Sequence, residues 1–218
     1  MKSDYINADG FKIMLDLMER DNANAVRVSL STGLRIGDVL ALRRENVAPG
    51  GELHTICDKT GKPFSGKISK ALASEILQRA GERSEWVFPS PSPRRVGKPR
   101  TRQAVWRDLK KAAKLCATPR NISPHTARKI YAVDQFRKNG LEATKEALQH
   151  DRTNTTLIYA FSDVLTNESA ARLQPCGTLK RNFSDNEILA AFIEAFGGEA
   201  EVCKCIQKFL NTATAAQN

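Results

Sequence analysis

A mainly helical fold with one small antiparallel sheet is predicted by three observations. Apolar residues recur at helical spacing over most of the 218 residues, and one stretch, Gly51 to Ser69, switches to short β-prone runs. Gly and Pro fall where one period gives way to the next, and no internal repeat or low-complexity block interrupts the pattern.

The elements follow in chain order. Phe11 to Glu19 and Ala23 to Leu30 carry helix-spaced apolar residues, and a third helix is expected to start near Ile36, just after Gly33. The segment ELHTICDKTGKPFSGKIS is broken by Lys-Thr-Gly-Lys, which reads as a hairpin or a three-stranded sheet with Gly61 in a turn. Helix resumes at about Lys70 to Arg79. A Pro-rich loop, PSPSPRRVGKPR, then leads into a helix expected to place Val105, Trp106, Leu109, Ala112 and Ala113 on one side. Near the end, Ser184 with Glu187 fits a capping box, and Ile188, Leu189, Phe192 and Phe196 recur at helical spacing. Gly197-Gly198 separates these from Val202, Ile206 and Phe209, so a helical hairpin is expected. The chain therefore divides into a main domain, 1–175, and an acidic C-terminal hairpin, 176–218, which caps the domain or contacts another subunit.

Charge narrows the class of partner. A formal net charge of +10 and a pI near 9.6 point to a polyanion, either nucleic acid or an anionic membrane surface. No run approaches the ~18 apolar residues a spanning helix needs, and the N-terminus lacks a secretory apolar stretch, so a cytoplasmic protein without membrane contact is expected. Arg94 to Lys114 holds nine Lys or Arg and one acid. From that run Arg94, Arg95, Lys98, Arg100, Arg102, Lys110 and Lys111 are candidates for contact with the phosphates of double-stranded DNA, whose neutralisation releases counterions. A merely solvated basic face is the competing explanation. Ser184 to Asn218 has five acids against two lysines and is not expected to lie on DNA. The five cysteines, Cys57, Cys116, Cys176, Cys203 and Cys205, form no CxxC pair and lie near no histidine at zinc-ligand spacing, which leaves free thiols.

Three segments carry the chemistry: TGLRIGDVLALRRENV with Arg35 and Asp38, PHTARKIYA with His125 and Arg128, and ALQHDRTNTTLIYAF with His150 and, nine residues on, Tyr159. Together they resemble the motif set of the tyrosine recombinase and phage integrase family, over Thr32 to about Asp163. The resemblance implies a recombinase catalytic-domain fold. It places Arg35 at the first arginine position, His125 and Arg128 in the His-x-x-Arg box, His150 at the second histidine and Tyr159 at the nucleophile. In the family, a lysine in the turn of a β-hairpin protonates the leaving oxygen. Lys59 in DKTGK stands where that lysine belongs, with Lys62 and Lys67 as nearby alternatives.

The set makes chemical sense on its own terms. A phosphodiester needs its non-bridging charge neutralised, its nucleophile aligned and its leaving oxygen protonated. Arg35 and Arg128 are permanently charged planar forks suited to two non-bridging oxygens, and His125 and Arg128, three residues apart, share one helical face. His150 can donate to the same phosphate. Tyr159, attacking phosphorus through its phenolic oxygen, conserves the bond energy in a phosphotyrosine, which the resemblance implies is 3′-linked with a free 5′-hydroxyl. No cofactor, catalytic metal or ATP is then expected. Taken singly, each of these residues has a structural explanation; their ordered combination, using two of only three histidines, favours catalysis. The third, His54, falls in an expected strand and has no assigned role.

Two departures from the family pattern stand out. Gln149 occupies a position where the family usually has glycine before the second histidine. Only about thirty residues precede Arg35, whereas most integrases carry a separate helical DNA-clamping domain there. Site-specific recombination, for integration, excision or inversion, is the expected function, and the resemblance implies a chain that is a monomer or weak oligomer alone and a tetramer on paired DNA sites. Type IB topoisomerase-like nicking and resealing, or a DNA-binding regulator without strand transfer, are the competing readings.

Overall fold

The computed structural model describes residue 6 and residues 8–118 and 121–149. Their order is α1 (Ala8–Asp16), α2 (Arg20–Thr32), α3 (Ile36–Leu40), β1 (Glu52–Ile56), β2 (Pro63–Lys67), α4 (Lys70–Ala80), α5 (Arg102–Leu115) and α6 (Pro124–Ala147), with 3-10 turns at Arg44–Asn46 and Pro93–Arg95. The chain separates into two compact units, the first ending at Tyr131 and the second starting at Ala132. The mainly helical class with a small antiparallel sheet is the observed one. The expected acidic C-terminal hairpin lies outside the described residues.

In the first unit α2 is central, contacting α1, α3, α4 and α5. Its burial extends to Asn22, Asn24, Ser29 and Thr32 as well as to Ala23, Ala25, Val26 and Val28. Such a polar element survives inside only because its groups are bonded. The Glu19 carboxylate caps the N-terminus, accepting the amides of Asp21 (3.2 Å) and Asn22 (3.1 Å), and Gly33 ends the helix in the left-handed region at φ 73°. The apolar core around α2 includes Phe11, Leu15, Leu34, Val39, Leu42, Leu53, Ile76, Phe88 and Leu109, all at most 1% exposed.

The sheet is a two-stranded ribbon with Glu52 opposite Lys67 and Ile56 opposite Pro63. The third strand that the sequence allowed is reduced to an isolated bridge between Val47 and Leu53. Only Leu53 of β1 is buried, so one face of the ribbon stays open. At its base Gly51 has φ 93°, and a Cβ there would sit 2.2 Å from the Ile68 carbonyl oxygen, a space no side chain can share.

α5 starts from a Thr101 cap that accepts the Ala104 amide (3.1 Å), and it buries Val105, Leu109, Ala112 and Ala113. Trp106, expected on that side, is 42% exposed instead, with the Lys110 ammonium 5.8 Å from its ring. The residue lies about 100° round the helix from Val105, at the margin of the buried stripe. Within the second unit, the helical path breaks at Gly140 (φ 78°, ψ −171°) and ends at Gln149, whose φ is 51°.

Candidate active site

Arg35 owes its position to a braced turn. The Thr32 hydroxyl donates to the Val28 carbonyl (2.7 Å) and accepts the Leu34 amide (3.3 Å), while the Ser29 hydroxyl donates to the Leu34 carbonyl (2.6 Å). Arg35 follows as the N-cap residue of α3, its side chain half-buried.

Three residues on, Asp38 is 5% exposed and accepts the Asp58 amide through Oδ1 at 3.0 Å. Its Oδ2 is buried without a hydrogen-bond partner. That single bond ties α3 to the ribbon's turn, one residue before Lys59. The turn itself is closed by Gly61 donating to the Cys57 carbonyl (2.8 Å) and Cys57 donating to that of Lys62 (3.0 Å). Of the three candidate lysines, Lys59 alone lines the cleft described below; Lys67 pairs with Glu52 (3.2 Å) at the ribbon's base.

His125 and Arg128 lie in the first turn of α6, opened by Pro124. Ser123 and Thr126 fix this start: the Ser123 amide donates to the Thr126 hydroxyl (3.2 Å) and the Thr126 amide to the Ser123 carbonyl (2.8 Å). Arg128 is 4% exposed and donates through Nη1 to the carbonyl of Gly33. The capping glycine of α2 thereby holds the guanidinium, a constraint that no local sequence signal announces.

These elements bound one cleft of about 1130 Å³, lined by Arg35, Asp38, Lys59, Arg102, His125 and Arg128 among others. Desolvation by surrounding protein atoms lowers the His125 pKa to about 4, helped by the positive charges of Arg128, Lys129, Arg35 and Lys59. His125 is exposed at its surface, and a bound anion would offset the contribution of the four cations. The imidazole is neutral at pH 7. Cys57, also in the cleft, is pushed up by burial and by the Asp38 carboxylate, so its thiol stays protonated and is no competing nucleophile. Among the described residues, no group of three or more His, Cys, Asp or Glu is placed to hold a metal ion. No described helix is long and apolar enough to cross a membrane.

The basic run divides. Arg94, Arg95 and Lys98 are exposed on the loop before α5; Arg102 is exposed and faces the cleft; Lys111 is exposed on α5. Lys110 is half-buried and donates to Asn121 Oδ1 (2.5 Å). Arg100 is a correction: it is 7% exposed, with its terminal nitrogens on Glu19 and Asp21, 2.6 Å each, so it is not available to a DNA phosphate. A run of positive charge in sequence does not reveal which member finds an acid some eighty residues away. His150 and Tyr159 lie outside the described residues.

The architecture is that of tyrosine recombinase catalytic domains. It matches XerA recombinase with TM-score 0.60 at 20% identity, covering 78% of this chain and 61% of that one. The λ integrase catalytic core matches with TM-score 0.54 at 21% identity, covering 69% and 93%. The chain belongs to the phage integrase family, whose model matches residues 5–165. Similar curated proteins include the tyrosine recombinase XerD of Corynebacterium glutamicum, 28% identical over 145 residues, covering 64% of this chain and 47% of that protein. The integrase of Escherichia phage P2 is 27% identical over 173 residues, covering 78% and 47%. The chain spans about half the length of these curated relatives.

Proposed function

We propose that this chain cuts and rejoins double-stranded DNA through a covalent phosphotyrosine, as the catalytic part of a site-specific recombinase acting on a phage or other mobile element. The observation that carries the reading is the convergence of Arg35, Lys59, His125 and Arg128, from three separate segments, on one cleft.

In this mechanism the Arg35 and Arg128 guanidinium groups bind the non-bridging oxygens of the scissile phosphate, where charge grows in the transition state. His125, neutral at pH 7, donates one ring N–H to the same group, and His150 donates a second bond. The Tyr159 phenolic oxygen attacks phosphorus and loses its proton to solvent water. The P–O5′ bond breaks, and the leaving oxygen takes a proton from Lys59. The products are a 3′-phosphotyrosine and a 5′-hydroxyl, and attack by a 5′-hydroxyl reverses the step and reseals a strand. The two arginines supply the electrostatic stabilisation that metal ions give elsewhere, and the conserved bond energy removes the need for ATP. A tetramer on paired sites is the assembly that lets strands exchange. The DNA-bound XerH recombinase and λ integrase structures, which share the fold, support DNA as the partner.

The experiment is a suicide-substrate assay with nicked DNA from the gene's own neighbourhood, comparing wild type with Tyr159→Phe after denaturation. A covalent protein–DNA band present only in wild type is the expected result. Relaxation of a supercoiled plasmid without a second site would favour topoisomerase-like action instead. Salt-dependent binding without any adduct would favour a regulator.

A further inference from the structure

Arg100 lies in the most basic stretch of the chain, yet it is withdrawn from solvent and fully engaged at its terminal nitrogens. Nη1 donates to Glu19 Oε2 (2.6 Å) and Asn22 Oδ1 (3.0 Å), Nη2 donates to Asp21 Oδ2 (2.6 Å), and the backbone amide donates to the Phe88 carbonyl (2.8 Å). Its acceptors form the N-terminus of α2. The same corner receives Asp108 from the second turn of α5, whose Oδ2 accepts the Glu19 amide (2.8 Å) and the Asn22 side-chain amide (2.9 Å). The start of α5 is thus clamped to α2 at two points, one on each side of Arg102.

Buried ion pairs add little net stability, because desolvating the charges offsets most of their attraction. What this one fixes is direction. Arg102, the first residue of α5, is exposed and lines the cleft, its Cδ lying 3.6 Å from where a Cβ on Gly37 would stand. Gly37 is two residues from Arg35. Among the described residues the Arg102 side chain makes no ion pair or hydrogen bond, so its place in the cleft follows from the path of its backbone and from its stem lying beside Gly37.

Building on the DNA-binding reading above, we propose that Arg100 is a positioning residue: its fork on Glu19, Asp21 and Asn22 sets the start of α5 so that Arg102 enters the cleft as a further phosphate-binding cation beside Arg35. Arg100 itself touches no DNA.

A double-mutant cycle tests this, using a short DNA duplex of arbitrary sequence titrated over a range of salt, with thermal melting to confirm that each variant folds. Arg102→Ala is expected to weaken binding about tenfold and to reduce the salt slope by about 1. Arg100→Met should do the same, although the lost residue is buried, and should change binding less than about twofold once Arg102 is already alanine. Glu19→Gln and Arg100→Lys, which keep the packing but break the fork, should reproduce the effect in milder form and cover the case of a poorly folded methionine variant. A wild-type salt slope in the Arg100 and Glu19 variants, or effects that simply multiply with Arg102→Ala, would overturn the positioning role while leaving DNA binding intact. If wild type itself shows no salt-dependent binding, the DNA reading falls and takes this inference with it.

Discussion

Arg128 donates to the carbonyl oxygen of Gly33, a residue 95 positions earlier in the chain. One buried bond thus couples the helix that carries the His-x-x-Arg pair to the turn that carries Arg35. Arg128→Lys keeps the charge but has no planar fork with which to reach both this carbonyl and a phosphate. Cleavage of a suicide substrate should slow by about 10²-fold or more. The melting transition should show a loss of about 1 to 3 kcal/mol, the cost of leaving a buried acceptor without its charged donor.

Asp38 is expected to act on Lys59 through the backbone. Asp38→Ala leaves the Asp58 amide without its acceptor and should cost about 1 to 3 kcal/mol in urea unfolding. Because the turn is then released, adduct formation should also fall. Asp38→Asn keeps an acceptor oxygen for the same amide and should retain more of both. Equal losses in the two variants would mean that the charge, not the bond, is what matters.

His125 makes stability depend on pH in a defined direction. Its pKa is about 4 in the folded chain and 6.5 in the unfolded one. Between these values the unfolded chain takes up a proton that the folded chain refuses, so stability rises with pH across the window and is lost as pH falls from 6.5 towards 4. Chemical denaturation at several pH values should show this slope in wild type and a flatter one in His125→Asn. Bound DNA should shift the His125 titration upward by offsetting the four nearby cations, which an NMR titration of the imidazole would detect.

Gln149 holds a left-handed backbone conformation, φ 51°, at the end of the last described helical turn, where its amide donates to the Glu146 carbonyl (2.9 Å). An L-residue with a side chain pays a steric penalty there that glycine avoids. Gln149→Gly should raise stability by about 0.5 to 1 kcal/mol, and Gln149→Val should lower it. Thermal melting distinguishes the two. The Gln149 side chain therefore sits on a backbone conformation that favours glycine.

The order of the helices and the ribbon was legible because each is a local pattern: α4 starts at Lys70, as the periodicity requires, and Gly61 sits in the turn with φ 64°. The motifs that hold Arg35, Lys59, His125 and Arg128 are short and ordered, and the structure places the four residues along one cleft. Relationships across sequence distance were not legible. Nothing near Arg100 marks Glu19 and Asp21 as its partners, nothing near Arg128 marks Gly33, and the hydrophobicity of Trp106 says nothing about its lying at the edge of a stripe. Each depends on which helix packs beside which, and periodicity does not carry that.

The cleft's arginines and the proton donor that the proposed mechanism requires belong to different pieces of chain. Arg35 and Arg128 are seated in a braced helical corner, while Lys59 rides at the end of a two-stranded ribbon that α3 grips through the Asp38–Asp58 bond. On the proposed mechanism, gripping a phosphate and letting its leaving group depart would fall to separate elements. If the proposed mechanism holds, a domain assembled in this way would dwell on DNA with the backbone seated and uncut until the ribbon brings its lysine to the leaving oxygen.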